Sequence, residues 1–163
     1  MIPRFWALPA LLPLALIWQS SELAVLPVFG WRLDPTLVLV IAGGLMLGPR
    51  YGLVFGLIAG GCQDVLLGAG LVYGFTKGIA GWAAGLIQPH IYRLDVLSLG
   101  LVAMVWTLVE GLCVALYLLS HGRTAVWDHY AALALPLGLA HAFMLGVLYY
   151  ALFRLPGPES REA

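Results

Sequence analysis

Three ionisable side chains stand where an apolar chain should have none. Asp64, Lys77 and Glu110 lie in stretches otherwise built of Leu, Val, Ala and Gly, and His141 occupies a comparable place further on. A lone charge at mid-membrane costs at least about 2.5–3.5 kcal/mol on insertion scales, so such groups pair, face a cavity or relay protons. Asp64 precedes Gly70 by six residues and Lys77 follows it by seven. On two antiparallel helices rising about 1.5 Å per residue they reach the same depth. The expected contact is a buried ion pair that fixes a hairpin; a ligand or partner site and a proton relay are the other readings. Glu110 and His141 flank the loop 120–129 at similar depths. For them the expectation is a hydrogen bond near the midplane, or a Glu110 that faces a polar cavity or the Lys77 region.

No catalytic set accompanies these groups. The sequence has no GxSxG, HExxH, GxxxxGK[ST] or paired Asp for intramembrane proteolysis, and its serines lack a nearby base. Cys62 and Cys113 lie in apolar runs without metal-ligand spacing and read as small core residues. The expectation is a protein that is not an enzyme, with no catalytic residue, no cofactor and no metal site. His121 to Tyr130 forms the longest polar stretch between apolar runs, and its Trp127 and Tyr130 suit an interfacial belt or a partner contact.

The composition says what must position these residues. Of 163 residues 62% are hydrophobic and 10% charged, with eight basic against eight acidic side chains. Ordinary soluble domains hold about 45–50% apolar and about 25% charged residues. A soluble enzyme, a nucleic-acid binder and a disordered regulator are thereby excluded, and the lipid bilayer is the expected surrounding. At about 20 residues per span the chain accommodates six helices and no soluble domain. The spans fall at 5–20, 34–48, 51–67, 72–89, 95–119 and 130–153. They form one domain over 1–155, followed by a short cytoplasmic tail over 156–163. Pro9 and Pro13 kink the first span, and the stretch 21–33 is an interfacial or re-entrant connection with Trp31 and Arg32 at headgroup level. Asp34-Pro35 is an N-cap followed by a first-turn proline.

Glycine supplies the packing signal. Gly48, Gly52, Gly56 and Gly60 recur every four residues, and Gly74, Gly78, Gly81 and Gly85 share one face of the next span. Small residues so spaced let helix backbones approach closely in lipid. With six spans, Arg4, Arg50, Arg93, Arg154 and Arg161 collect on one side against Arg32 and Arg123 on the other. This excess places both termini in the cytoplasm.

The run from Leu33 to Ile87, with Asp34-Pro35, Gly48-Pro49-Arg50-Tyr51-Gly52, Asp64 before Leu66-Leu67-Gly68, and Gly70 through Gly85, resembles the MreD family of bacterial rod-shape-determining membrane proteins. That resemblance implies a non-catalytic scaffold of the cell-wall elongation machinery in the bacterial inner membrane. It also implies an MreC-like bitopic partner and, with it, MreB, RodA and a class-B transpeptidase. The same residues resemble the substrate-binding component of energy-coupling-factor transporters, six-helix proteins of similar size, which implies an all-α six-helix bundle and, as the alternative function, vitamin capture. In several of those proteins an AxxxA row on the first helix docks the coupling subunit, whereas Ala7, Ala10 and Ala15 here give no such spacing.

Overall fold

The computed structural model describes residues 7–20, 25–26, 31–89, 95–124 and 126–153. Among them are six helices, α1 (Ala7–Ser20), α2 (Pro35–Leu47), α3 (Pro49–Leu67), α4 (Val72–Ile87), α5 (Val96–Ser120) and α6 (Val126–Phe153). A minimal antiparallel pair, β1 (Val25–Leu26) with β2 (Trp31–Arg32), joins α1 to α2, in the register Val25 to Arg32 and Leu26 to Trp31. The connection expected to be interfacial or re-entrant thus contains a short strand pair; the side chains of Trp31 and Arg32 lie outside the described residues. So do Arg4, Arg93, Arg154, Arg161 and the tail 156–163.

Helices α5 and α6 are long and apolar enough to cross a membrane, with mean hydropathies of 2.1 and 2.0, while Leu8–Gln19 and Pro35–Leu47 are shorter apolar helices. Large apolar side chains such as Val65, Leu71, Phe75, Leu97 and Phe143 point outward, as a lipid-facing surface requires. The architecture is an all-helical bundle of the kind a membrane protein builds. Helix α6 starts four residues earlier than expected, so the loop 120–129 shrinks to a turn through Gly122, whose φ of 81° lies in the left-handed region that suits glycine.

Helix α2 is the hub. Every residue from Thr36 to Met46 is buried, and a helix apolar on all sides belongs inside a bundle. Its 13 residues extend only about 20 Å at 1.5 Å per residue, so its N-terminus lies recessed among longer neighbours. Asp34 caps that end, accepting from the Leu37 amide at 3.0 Å, and Pro35 occupies the first turn, where no amide is needed.

Helices α2, α3 and α4 form a tight trio. A Cβ added at Gly52, Gly56 or Gly60 of α3 would run into the backbone carbonyls of Gly81, Lys77 and Tyr73 on α4, in antiparallel register. Gly44 of α2 faces the same Gly81 carbonyl, so three glycines on three helices meet at one point. Gly85 backs onto Pro49 in the same way, whereas Gly74 faces the Asp64 carboxylate and Gly78 the Leu57 side chain. Helices α5 and α6 form a separate hairpin, packed extensively on each other and far less on the trio. Cys113 is partly buried and Cys62 exposed, which corrects the expectation that both are core residues. Cys62 lies on the side of α3 turned away from the glycine row.

Candidate polar site and cavity

Four helices send ionisable side chains to the seam between the trio and the hairpin. Lys77 of α4 is fully buried and its Nζ bonds both Asp34 Oδ2, at 2.6 Å, and Glu110 Oε1 of α5. The ammonium lies 4.8 Å from the centroid of the Tyr73 ring, which covers another side of it. Asp34 is therefore both a helix cap and an ion-pair partner, and it also accepts from Gln63 Nε2 of α3 at 3.1 Å. A recessed helix N-terminus supports that carboxylate with its own partial positive charge.

His141 of α6 closes the network. Its Nε2 accepts the Asp34 backbone N–H at 2.9 Å, so that nitrogen carries no proton. The Thr107 hydroxyl donates to the Ala103 carbonyl at 2.7 Å, so Thr107 Oγ1 can only accept from His141 Nδ1, 2.9 Å away. The ring is neutral and protonated on Nδ1, an assignment forced by its partners.

The expected Asp64–Lys77 pair does not form. Asp64 instead caps α4, accepting from the Tyr73 amide at 3.0 Å and the Gly74 amide at 2.7 Å. Helix α3 ends at Leu67 and α4 begins at Val72. Asp64 therefore lies three residues from the turn and Lys77 five, on different levels, and the amides at the start of α4 saturate the carboxylate. The expected Glu110–His141 hydrogen bond is likewise absent among the described contacts. Glu110 turns to Lys77, the alternative expected for it, and His141 turns to Asp34 and Thr107. Three participants were not singled out from sequence. The Asp-Pro sequence marks Asp34 only as a cap. Gln63 continues the row Gly56, Gly60 at helical spacing, and Thr107 precedes Glu110 by three residues on the buried face of α5; in an apolar helix such polar residues on the face of a charge are the signal that finds them.

Beside the network lies a cavity of about 260 Å³. Its polar lining includes Asp34, Gln63, Tyr73, Thr107, Glu110 and His141, and its apolar lining includes Val114, Leu118, Leu133 and Leu137 of the hairpin. Lys77 sits behind the carboxylates and does not reach the cavity wall. Gln63 is 2% exposed, and its Oε1 is a buried acceptor without a donor. A second hollow, about 490 Å³ and almost wholly apolar, lies between α1, α2 and α6, lined by Leu14, Trp18, Phe143 and Val147 among others. No cluster of metal-ligating side chains occurs among the described residues.

The site thus combines a recessed capping aspartate, two closely packed glycine-lined helices and a less tightly packed hairpin. The family model 5TM-5TMR_LYT, described as the 5TMR of 5TMR-LYT, matches residues 20–154. The chain belongs to this family. The match opens at the last residue of α1 and closes just past α6, so it takes in α2 to α6, five helices. Asp34, Lys77, Glu110 and His141 lie within the family region, as do the lining residues of the cavity apart from Gln19 of α1. Membership corrects the MreD resemblance: the glycine rows and the Asp-Pro start that carried it are packing and capping devices shared by tight helical hairpins. The MreC-like partner and the association with MreB, RodA and a transpeptidase rested on that resemblance alone. No solved structure matches the chain.

Proposed function

We propose that this chain is a membrane-embedded sensory domain of the five-helix LytS type, in which a small molecule enters the polar cavity and displaces the α5–α6 hairpin against the α2–α4 trio. The family match supports a sensor-type membrane domain. The single observation that carries the reading is the placement of a buried Asp34–Lys77–Glu110 triad at the seam between a rigid and a loose half, open to a cavity. Replacing buried ion pairs by well-packed apolar residues is often neutral or stabilising. A bundle needing only cohesion gains little from the triad, whereas a bundle with two arrangements gains a polar contact that a ligand can compete for. The domain acts without catalysis, spans the cytoplasmic membrane six times with α1 as the added helix, and keeps both termini in the cytoplasm, as the arginine distribution favours.

A thermal-stability panel tests this reading on the purified chain in lipid nanodiscs. Small polar metabolites of each charge class are screened on the wild type and on Gln63→Leu. At least one compound is expected to raise the melting temperature of the wild type alone. A panel without any such compound would overturn the sensory reading.

A further inference from the structure

The seam holds more carboxyl groups than ammonium groups. Asp34 and Glu110 bring two carboxyl groups, Lys77 brings one ammonium, and the partners of His141 hold it neutral. Asp64 is held separately by the amides at the start of α4 and does not line the cavity. Among the described residues no Lys or Arg lines it. Two carboxyl groups thus share one ammonium beside a hollow in an apolar bundle, where the second of them must take up either a proton or a cation.

The hydrogen-bond inventory points the same way. Gln63 Oε1 accepts nothing although it is buried. Its amide cannot rotate to relieve this, because Nε2 is held by Asp34 Oδ2, and a rotated amide would set oxygen against a carboxylate. Glu110 gives Oε1 to Lys77, and its second oxygen accepts from no described residue. Gln63, with its unfilled acceptor, and Glu110 both line the cavity, together with the apolar Val114, Leu133 and Leu137.

We propose that the cavity binds a small organic cation, a protonated primary amine whose ammonium donates to Gln63 Oε1 and Glu110 while its carbon chain lies against the hairpin. This specifies the ligand class of the sensory reading above and rests on it. The cavity's 260 Å³ equals about nine waters at about 30 Å³ each, which limits the ligand to roughly nine non-hydrogen atoms. Amines of this class balance the seam's charge and fill its unused acceptors in one step. Carboxylates add a further negative charge, and alcohols satisfy an acceptor without supplying charge.

The test compares n-pentylamine, 1-pentanol and pentanoate by calorimetric titration into the full chain in nanodiscs, with empty nanodiscs subtracted to remove partitioning into lipid. The expected result is saturable pentylamine binding, about tenfold or more tighter than pentanol, with no pentanoate binding. Gln63→Leu, which leaves the three charges in place, should weaken pentylamine about tenfold or more. Glu110→Gln should bring amine and alcohol to within about threefold of each other. Equal binding of amine and alcohol by the wild type, preference for pentanoate, or unchanged amine binding in Gln63→Leu would each overturn the cationic assignment. In those cases a hit from the broader metabolite panel leaves the sensory reading standing, and a panel without hits removes both.

Discussion

Removing Lys77 separates the account from its simplest rival, a single hairpin-fixing ion pair. In Lys77→Met the side chain keeps most of its volume, but two carboxylates now face each other without the ammonium that both contact. Deleting one partner of a buried ion pair costs about 3–5 kcal/mol, because the remaining charge stays buried. At 1.4 kcal/mol per decade this corresponds to roughly two to four decades in the folded-to-unfolded ratio. Glu110 has no other described donor, whereas Asp34 retains the Leu37 amide, the Gln63 side chain and the N-terminus of α2. The double variant Lys77→Met/Glu110→Gln therefore removes the costlier of the two orphaned charges and should recover most of the loss. Steady-state accumulation and thermal unfolding followed by size-exclusion in mild detergent measure both variants against wild type. A double variant no more stable than Lys77→Met would refute the reasoning, as would a Lys77→Met protein with wild-type stability.

Further outcomes follow from individual contacts. Coupling of Lys77→Met with Asp34→Asn in a double-mutant cycle should exceed its coupling with Asp64→Asn, since only Asp34 touches the ammonium; equal couplings would restore the abandoned pair. Gly56→Ala drives a methyl into the Lys77 backbone and should cost about 1–3 kcal/mol or more, while Gly61→Ala, with nothing within 4 Å of the new methyl, should be neutral or gain up to about 1 kcal/mol; thermal melts compare the two. Nitrogen NMR of ¹⁵N-histidine protein should show one ring protonated on Nδ1 alone, lost in His141→Leu, and a doubly protonated ring at that position at neutral pH would contradict the assignment. Asp95 caps α5 by accepting from the Ser98 amide at 2.9 Å, and its hydrogen bonds with Ser98 hold its carboxyl below the ordinary value. The stability it lends is present above the ordinary carboxylate range and is lost as pH falls through its lowered value, so amide exchange at the start of α5 should accelerate there in the wild type and less in Asp95→Asn.

The helices were legible because apolar runs bounded by Asp-Pro, Gly-Pro and Gly are local signals. Most span ends fall within a few residues of the observed helices, and Asp34 caps α2 as its Asp-Pro sequence indicates. The glycine rows told which helices approach closely, since that property belongs to one face of one helix. What the sequence could not reveal was which charge meets which. Depth measured by residue count from Gly70 put Asp64 beside Lys77, but the turn is asymmetric, and the first amides of α4 claimed Asp64. Asp34 reaches Lys77 from 43 residues away, and the contact exists only because α2 is too short to carry its N-terminus to the surface. Gln63 and Thr107 are uncharged, so neither stood out until Asp34 and His141 gave them partners. The family, too, was not legible from the glycine and Asp-Pro pattern, because close helix packing imposes that pattern wherever it occurs.

Hydrogen–deuterium exchange on the nanodisc-embedded chain, run with and without the small molecule that most raises its melting temperature, tests the sensory account most directly. The account predicts slower exchange at the end of α3, the start of α4 and the middle of α6, together with altered exchange at the turn His121–Thr124 as the hairpin moves, all absent in Gln63→Leu. Exchange unchanged at those segments, or changed identically in Gln63→Leu, would contradict it.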